Sequence, residues 1–230
     1  LNSGVDHYEV DGLDVGNVTT STVSPGDGIH NFSIVAVDAV GNSTGVTTLS
    51  NIQIDTTAPD IVANFSSTTH VSGVWSNTND IGLTWDASDD NGGSGLDHYE
   101  INSFDIGNGL SISTGPLDDG VYTFSIVAVD ALGQASDPVS LTDIMIDTTS
   151  PTATLTIDDD ASYSIDVLVD LAVAADDGSG SGVTEMRASN DGVNFTPWLG
   201  FTASYADWNL SLFGGNGNFL GIWRELAPQK

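Results

Sequence analysis

The chain has 230 residues and a formal net charge of −29, from 32 acidic residues and only three basic ones. Binding to nucleic acid needs clustered Lys and Arg, so this balance argues against a nucleic-acid partner. No cysteine is present, which fits a bacterial extracellular module better than a eukaryotic one. No run approaches the roughly 18 apolar residues of a spanning helix, so we expect no membrane span in this fragment.

Two long segments of the chain repeat each other. The motif SGVDHYEV at residues 3–10 recurs as SGLDHYEI at 94–101, and FSIVAVDA at 32–39 recurs unchanged at 124–131. The offset of 91 or 92 residues suits one β-sandwich per repeat and exceeds the period of solenoid repeats. Three modules are therefore predicted: an N-terminally incomplete one at 1–58, a complete one at 59–151, and one at 152–230 that becomes incomplete or aberrant after about residue 210.

The complete repeat reads as short strands separated by clusters of Gly, Asn, Asp and Pro, which is typical of all-β folds. Strands are predicted at residues 60–66, 80–88, 95–103, 109–114, 121–130 and 139–147. Alternation along 121–130 places Tyr122, Phe124, Ile126 and Ala128 on the core side. Leu83 and Trp85 are expected to face them from the opposing sheet. No segment shows sustained helical periodicity.

The segments SGLDHYEI, DGVYTFSIVAVDALG and IDTTSP resemble the bacterial immunoglobulin-like and fibronectin III-like repeats of surface adhesins and secreted hydrolases. The resemblance covers residues 1 to about 210. It implies tandem Ig-like β-sandwich modules joined by short linkers, here containing Pro59 and Pro151. We also expect the chain to be a piece of a longer protein, because it opens inside a strand pattern.

Aspartate accounts for 28 of the 32 acidic residues. Aspartate is favoured in turns, and it also supplies oxygen ligands for calcium. In an Ig-like topology, one end of each sandwich would collect the incoming linker and two loops. The candidate calcium ligands at these ends are Asp55, Asp86, Asp89, Asp90, Asp130, Asp147, Asp176 and Asp177, with Asp27, Asp118 and Asp119 opposite. Calcium at the linkers and plain turn formation are the two open interpretations, since no EF-hand spacing occurs.

No residue pattern makes a positive case for an enzyme. His7 and His98 occupy the same repeat position, which is typical of a strand-surface residue rather than of a catalytic group. His30 aligns with Tyr122, and His70 has no partner visible in the sequence. Paired carboxylates such as Asp89 and Asp90 lie in Gly/Ser loops and not in an apolar pocket, as an acid catalyst would.

Two functional hypotheses follow. The first is a non-catalytic extracellular spacer or stalk of a large adhesin, whose partners are the neighbouring repeats of the same chain. The alternative is an accessory region of a secreted hydrolase or protease that contacts a polysaccharide or a cell-surface ligand. The aromatic residues of the third repeat, which could stack on sugars, are Phe195, Trp198, Tyr205, Trp208 and Trp223.

Overall fold

The computed structural model describes residues 4–161 and 164–211, together with the backbone of 220–225. The first nine strands are β1 (Val5–Val10), β2 (Leu13–Gly16), β3 (Gly28–Asp38), β4 (Thr47–Ile54), β5 (Ser66–Ser67), β6 (Trp75–Ser76), β7 (Asp80–Thr84), β8 (Leu96–Ile101) and β9 (Phe104–Asp105). The other nine are β10 (Ser111–Pro116), β11 (Gly120–Asp130), β12 (Val139–Ile146), β13 (Thr152–Ile157), β14 (Leu168–Asp176), β15 (Val183–Ser189), β16 (Leu199–Gly200), β17 (Ser204–Asn209) and β18 (Leu220–Glu225). Within the described residues the helical structure is a single 3-10 turn at Asp158–Asp160, so the all-β prediction is confirmed.

The strands form sheets whose order repeats along the chain. The first sheet runs β2-β1-β3-β4, and the same order returns as β9-β8-β11-β12, to which β6 adds in parallel. Register repeats as well, since Val5 pairs with Asp38 and Leu96 pairs with Asp130. The sheets β10-β7-β5 and β17-β14-β13 also match each other, as do β9-β8-β11 and β16-β15-β18. The sequence repeat is therefore a repeat of strand pairing.

Alternate residues of these sheets are buried, which is the pattern of a β-sandwich. Ile81 and Leu83 of β7 are buried, and so are Ile144 and Ile146 of β12. On β11 the buried residues alternate as predicted from Phe124 to Ala128, while Tyr122 is half-buried and donates a hydrogen bond to the carbonyl of Asp118 at 2.7 Å. Leu83 and Trp85 are buried as expected. The Trp85 ring packs edge-to-face against the Tyr99 ring, with 5.5 Å between the ring centroids.

One predicted strand is wrong over most of its length. Residues 60–65 are not in a strand, and only Ser66 and Ser67 pair with β7. Asn64 adopts a positive φ of 54°, which interrupts an extended chain. The segment is held instead by separate backbone hydrogen bonds, from Asp60 N–H to the Asp89 carbonyl and from Asp86 N–H to the Ala63 carbonyl, both 2.9 Å.

The chain divides into two compact units. One comprises residues 1–64, 85–110 and 125–139, and the other comprises 65–84, 111–124 and 140–230. The predicted module boundaries at 58/59 and 151/152 stay predictions. Of the tail predicted to be aberrant after 210, residues 212–219 and 226–230 lie outside the described residues, and 220–225 form β18 against β15. None of the described helical structure is long and apolar enough to cross a membrane.

Candidate functional site

Three aspartates of the first compact unit converge, and we call them the first aspartate cluster. Asp55 follows β4, Asp90 lies in the loop between β7 and β8, and Asp130 ends β11. One carboxylate oxygen from each lies within 4.8 Å of those of the other two. All three residues are buried, with exposed fractions of 7%, 7% and 2%. The chain contains no Lys or Arg before residue 187, so no basic side chain from these segments neutralises the cluster.

Asp55 is held by backbone amides on two sides. Its Oδ2 accepts a hydrogen bond of 2.6 Å from the N–H of Ser94, and its Oδ1 accepts one of 3.2 Å from Thr57. These bonds favour the ionised carboxylate and, with Ser94 as the main cause, lower the pKa of Asp55 below its usual value. Asp55 is therefore a charged group tied to the β7–β8 loop.

Asp90 uses only one of its two carboxylate oxygens. Its Oδ2 accepts a hydrogen bond of 2.6 Å from the N–H of Gly95. Its Oδ1 is buried and accepts no hydrogen bond from the described residues. A buried carboxylate oxygen without a partner loses the solvation that it would have in water. Asp90 is thus the incompletely satisfied member of the cluster.

Asp130 closes a turn at the end of β11. Its Oδ1 accepts hydrogen bonds from the N–H groups of Leu132 at 2.9 Å and Gln134 at 2.8 Å. The Gln134 amide Nε2 donates to Oδ2 of Asp130 at 2.9 Å and to the main-chain carbonyl of Asp55 at 3.3 Å. Gln134 therefore links two members of the cluster.

A glycine allows the cluster to close. A Cβ atom on Gly93 would lie 2.7 Å from Oδ2 of Asp55 and 2.7 Å from Oδ2 of Asp90. Real Cβ contacts are not this short, so any larger residue would push the carboxylates apart. The hydrogen-bond turn between Gly93 N–H and the Asp90 carbonyl, at 2.8 Å, fixes the glycine in place.

A second aspartate cluster, Asp147 and Asp177, lies in the other compact unit. Asp147 Oδ2 accepts from the N–H of Ser181, and Asp177 Oδ2 accepts from that of Gly182, both at 2.6 Å. Gly180 stands where Gly93 stands in the first cluster, and its Cβ would likewise clash with both carboxylates. Burial, together with the neighbouring Asp147 carboxylate, raises the pKa of Asp177. The pair borders a cleft of about 290 Å³.

Two of the three aspartates expected opposite the clusters, Asp27 and Asp119, bind threonines. Asp27 accepts hydrogen bonds from the hydroxyl groups of Thr56 and Thr57 at 2.8 and 2.6 Å. Asp119 accepts the same pair of bonds from Thr148 and Thr149 at 2.7 and 2.5 Å. In each case these hydroxyl donors lower the pKa of the aspartate, with the second threonine as the main cause.

The remaining three predicted ligands are exposed and accept hydrogen bonds outside the two clusters. Asp86 accepts a hydrogen bond from the Asn64 side chain at 2.6 Å. Asp89 and Asp176 each cap the amide two residues ahead, those of Asn91 and Gly178, at 2.8 Å. The structure therefore gathers five of the eight predicted calcium ligands and places three in local loop contacts. Whether calcium binds stays a prediction.

The histidines show no catalytic arrangement within the described residues. Nδ1 of His7 lies 3.0 Å from Asp6, and Nδ1 of His98 lies 2.9 Å from Asp97. In both copies, the hydrogen bond with that aspartate raises the histidine pKa. His70 is buried between the Thr69 hydroxyl and the Thr78 carbonyl. The pairs are duplicated surface contacts of two strands.

An aromatic surface lies on the outer side of β15. The guanidinium of Arg187 sits over the Phe195 ring at 4.7 Å and over the Trp198 ring at 5.0 Å. Trp198 keeps 36% of its surface exposed. Both distances fall within the roughly 6 Å range of cation–π attraction, so Arg187 stabilises the packing of the two rings beside it. Of the aromatic residues predicted from the third repeat, Tyr205 and Trp208 pack against the core, and the side chain of Trp223 lies outside the described part.

Sequence reasoning missed the residues that support the clusters. Gly93, Ser94 and Gly95 donate or permit the contacts of the first cluster, and Gln134 bridges it. The signal for the first three was present, since DDNGGSG at 89–95 and DDGSGSG at 176–182 share the same spacing of aspartate, glycine and serine. Gln134 occupies the position of Asn42 in the first repeat, and the side-chain amide of Asn42 makes the same contact with Asp38 at 3.0 Å.

No protein-family model matches the chain. Chitinase A1 of Niallia circulans is 32% identical over 157 residues, which cover 59% of this chain and 21% of that protein. Exoglucanase B of Cellulomonas fimi is 30% identical over 118 residues, which cover 46% of this chain and 10% of that protein. The chain thus spans only a fifth and a tenth of the lengths of these relatives.

Two of the solved structures that the chain matches give low TM-scores. The fibronectin III-like modules of Clostridium thermocellum CbhA give a TM-score of 0.34 at 20% identity, covering 63% of this chain and 80% of that one. A Bacteroides ovatus glucan-utilization protein, SGBP-B, in complex with a mixed-linkage heptasaccharide gives 0.18 at 11% identity, covering 96% and 66%. TM-scores this low do not establish a shared fold. The sequence relatives favour the accessory-region hypothesis over the adhesin stalk.

Proposed function

We propose that this chain is a non-catalytic accessory region of a secreted protein that acts on polysaccharide. The observation that carries the proposal is its similarity to segments of a chitinase and of an exoglucanase. The matched segments are small parts of both proteins, as expected for a module that accompanies a catalytic domain. An extracellular location follows from the same proposal and agrees with the acidic, cysteine-free composition.

The contacts of the acidic residues support a non-catalytic role. Asp55, Asp90 and Asp130 receive hydrogen bonds from backbone amides of the loops that they join. An acid catalyst needs a carboxyl group that faces bound substrate in a largely apolar pocket. The buried carboxylates of this chain instead hold loops together. The duplicated His–Asp pairs of β1 and β8 lie on strand surfaces, where they cannot form one active site.

A polysaccharide could bind at the aromatic surface of Arg187, Phe195 and Trp198. Sugar rings present apolar C–H faces that pack on aromatic rings, and the hydroxyl groups at their edges accept hydrogen bonds from guanidinium donors. Trp198 is partly exposed and lies beside the guanidinium of Arg187, so a sugar ring at its exposed part would be near both an aromatic ring and a hydrogen-bond donor. We therefore propose this surface as the polysaccharide-binding site.

The test is a depletion assay with insoluble chitin and insoluble cellulose, using the whole chain. We expect retention on at least one polysaccharide. Trp198→Ala should weaken the affinity roughly tenfold, a loss of about 1.4 kcal/mol, because it removes the ring on which a sugar would pack. Phe104→Ala is the matched control, because Phe104 is an aromatic residue that is 75% exposed on a different strand, β9. It should bind like the parent chain.

Two results would count against the proposal, and a third would count against the proposed binding surface. Absence of retention on both insoluble polysaccharides would favour the spacer hypothesis. Release of soluble sugars by the chain alone would show that it is catalytic. Equal losses for Trp198→Ala and Phe104→Ala would remove the aromatic surface as the binding site.

A further inference from the structure

We propose that the first aspartate cluster binds one divalent cation and prefers Ca²⁺ to Mg²⁺. The three residues bring three carboxylate groups into a buried space in which one oxygen from each lies within 4.8 Å of the others. Like charges at such distances repel strongly away from bulk water. The chain supplies no Lys or Arg before residue 187 to offset them. A hard cation with oxygen ligands is the counter-charge that this donor set fits.

The unpartnered oxygen of Asp90 points independently to a ligand. Asp90 is 93% buried, yet its Oδ1 accepts no hydrogen bond from the described residues, while Oδ2 is bonded to Gly95. Buried polar atoms in folded proteins nearly always have a partner. Turn formation needs only the oxygen that accepts from the backbone and does not account for a second, buried one. A bound cation would satisfy it.

A comparison inside the chain separates the cation site from ordinary turn chemistry. Asp38 ends β3 as Asp130 ends β11, and its Oδ1 accepts from the N–H groups of Val40 and Asn42 at 3.0 and 2.9 Å. The turn at Asp130 is therefore a property of the repeat. Asp130 differs in that the carboxylates of Asp55 and Asp90 lie beside it. Convergence of the three, and not the turn, carries the proposal.

The donor set favours Ca²⁺ over Mg²⁺. Ca²⁺ accepts six to eight oxygens in irregular geometry, whereas Mg²⁺ requires a near-ideal octahedron and keeps much of its water. Here the oxygens come from the segment after β4, from the β7–β8 loop and from the end of β11, and several are already fixed by amide hydrogen bonds. Such oxygens cannot all move to octahedral positions. The cation would tie these three segments together.

Calorimetric titration of the whole chain with CaCl₂ and with MgCl₂, after treatment with a chelator, tests the proposal. We expect a Ca²⁺ dissociation constant on the order of 10⁻⁴ to 10⁻³ M, the range of extracellular modules, and at least about tenfold weaker binding of Mg²⁺. Asp90→Asn should weaken Ca²⁺ binding by about tenfold or more, because it removes one ligand charge and keeps the shape. Asp38→Asn is the matched control and should leave the affinity unchanged.

Three outcomes would overturn the proposal. The first is no heat and no change in melting temperature at 10-fold excess over the upper expected dissociation constant. The second is an equal loss of affinity in Asp90→Asn and Asp38→Asn, which would indicate general screening of the net charge. The third is Mg²⁺ binding as tight as Ca²⁺. If Asp90→Asn fails to fold, slowed hydrogen exchange at the Ser94 and Gly95 amides of the parent chain on adding Ca²⁺ decides the matter; unchanged exchange contradicts it.

Discussion

The two aspartate clusters are built on the same frame and differ in charge. In both clusters, a serine amide donates a 2.6 Å hydrogen bond to one aspartate, and the following glycine amide donates one of the same length to the other aspartate. The first cluster contains a third buried carboxylate, Asp130, whereas the second has two within the described residues. The register of β18 places Glu225 opposite Val183, just as Asp130 stands opposite Leu96. One backbone frame can thus present different charge sets.

The pKa values of Asp55 and Asp177 shift in opposite directions. Amide hydrogen bonds lower the pKa of Asp55, whereas burial beside Asp147 raises the pKa of Asp177. Asp55 is therefore favoured as an ionised carboxylate, whereas Asp177 holds a proton more readily than a free aspartate does. The two residues occupy different places in the repeat, since Asp55 corresponds to Asp147 and Asp90 corresponds to Asp177. Their opposite shifts follow from amide hydrogen bonds in one case and from burial beside a second carboxylate in the other.

The largest expected effect comes from filling the glycine positions. Gly93→Ala and Gly180→Ala should each destabilise the chain by about 1–3 kcal/mol, the usual cost of overpacking, because the new Cβ meets two carboxylates in both clusters. Chemical denaturation measures the loss. Gly45→Ala is the control, since its Cβ meets nothing within 4 Å. A loss in only one of the two variants would show that the frames are not equivalent.

Calcium should stabilise the chain through the first cluster. At a hundred times the dissociation constant, the free energy of unfolding should rise by about 2.7 kcal/mol. Asp130→Asn, which keeps an oxygen for the Leu132 amide, should abolish most of this rise. The effect is measured as the calcium-dependent change in melting temperature. An undiminished rise in Asp130→Asn, with the rise lost in Asp177→Asn, would transfer the site to the second cluster.

Removing a charge should have opposite effects in the two clusters without calcium. The folded pKa of Asp177 is raised, so the folded state holds its proton more tightly and loses stability as the pH rises through that pKa. Asp177→Asn should therefore raise the melting temperature at pH 7. The folded pKa of Asp55 is lowered, so its contribution is present above the unfolded pKa and is lost as the pH falls through the folded one. Asp55→Asn should lower the melting temperature at pH 7.

Melting curves of both variants between pH 3 and pH 7 with a chelator present check this pair of predictions. The difference between Asp55→Asn and the parent chain should shrink toward the acid end. The difference for Asp177→Asn should also shrink there, because the parent aspartate becomes protonated in both states. Effects of the same sign in both variants at pH 7 would contradict the contrast.

The smallest effects are expected at the threonine contacts that both regions share. Asp27→Asn and Asp119→Asn each weaken two hydroxyl hydrogen bonds of one exposed carboxylate, so they should lower the melting temperature slightly and by similar amounts. Both losses should fade as the pH falls, since the folded pKa of each aspartate is lowered. Clearly unequal losses would mean that the segments after β4 and β12 are held differently.

Identical sequence did not lead to identical surroundings. Ile34 and Ile126 occupy the same place in the repeated FSIVAVDA, yet Ile34 is 41% exposed and Ile126 is fully buried. Ile126 lies in the five-stranded sheet β6-β12-β11-β8-β9, whereas Ile34 lies in the four-stranded sheet β2-β1-β3-β4. The sequence predicted the strand, its alternation and an incomplete first module, and the structure gives the exposure of each isoleucine.

By itself the sequence determined the all-β class, the repeat, and the alternation that buries Phe124, Ile126 and Ala128. Those properties depend on local spacing, which a strand converts directly into sides of a sheet. Only the tertiary structure decided which aspartates meet. Asp55, Asp90 and Asp130 are separated by 35 and 40 residues in the chain, and strand pairing together with Gly93 brings them together. Asp86 and Asp89 lie closer to Asp90 in sequence and yet face solvent, because each is held by its own loop contact.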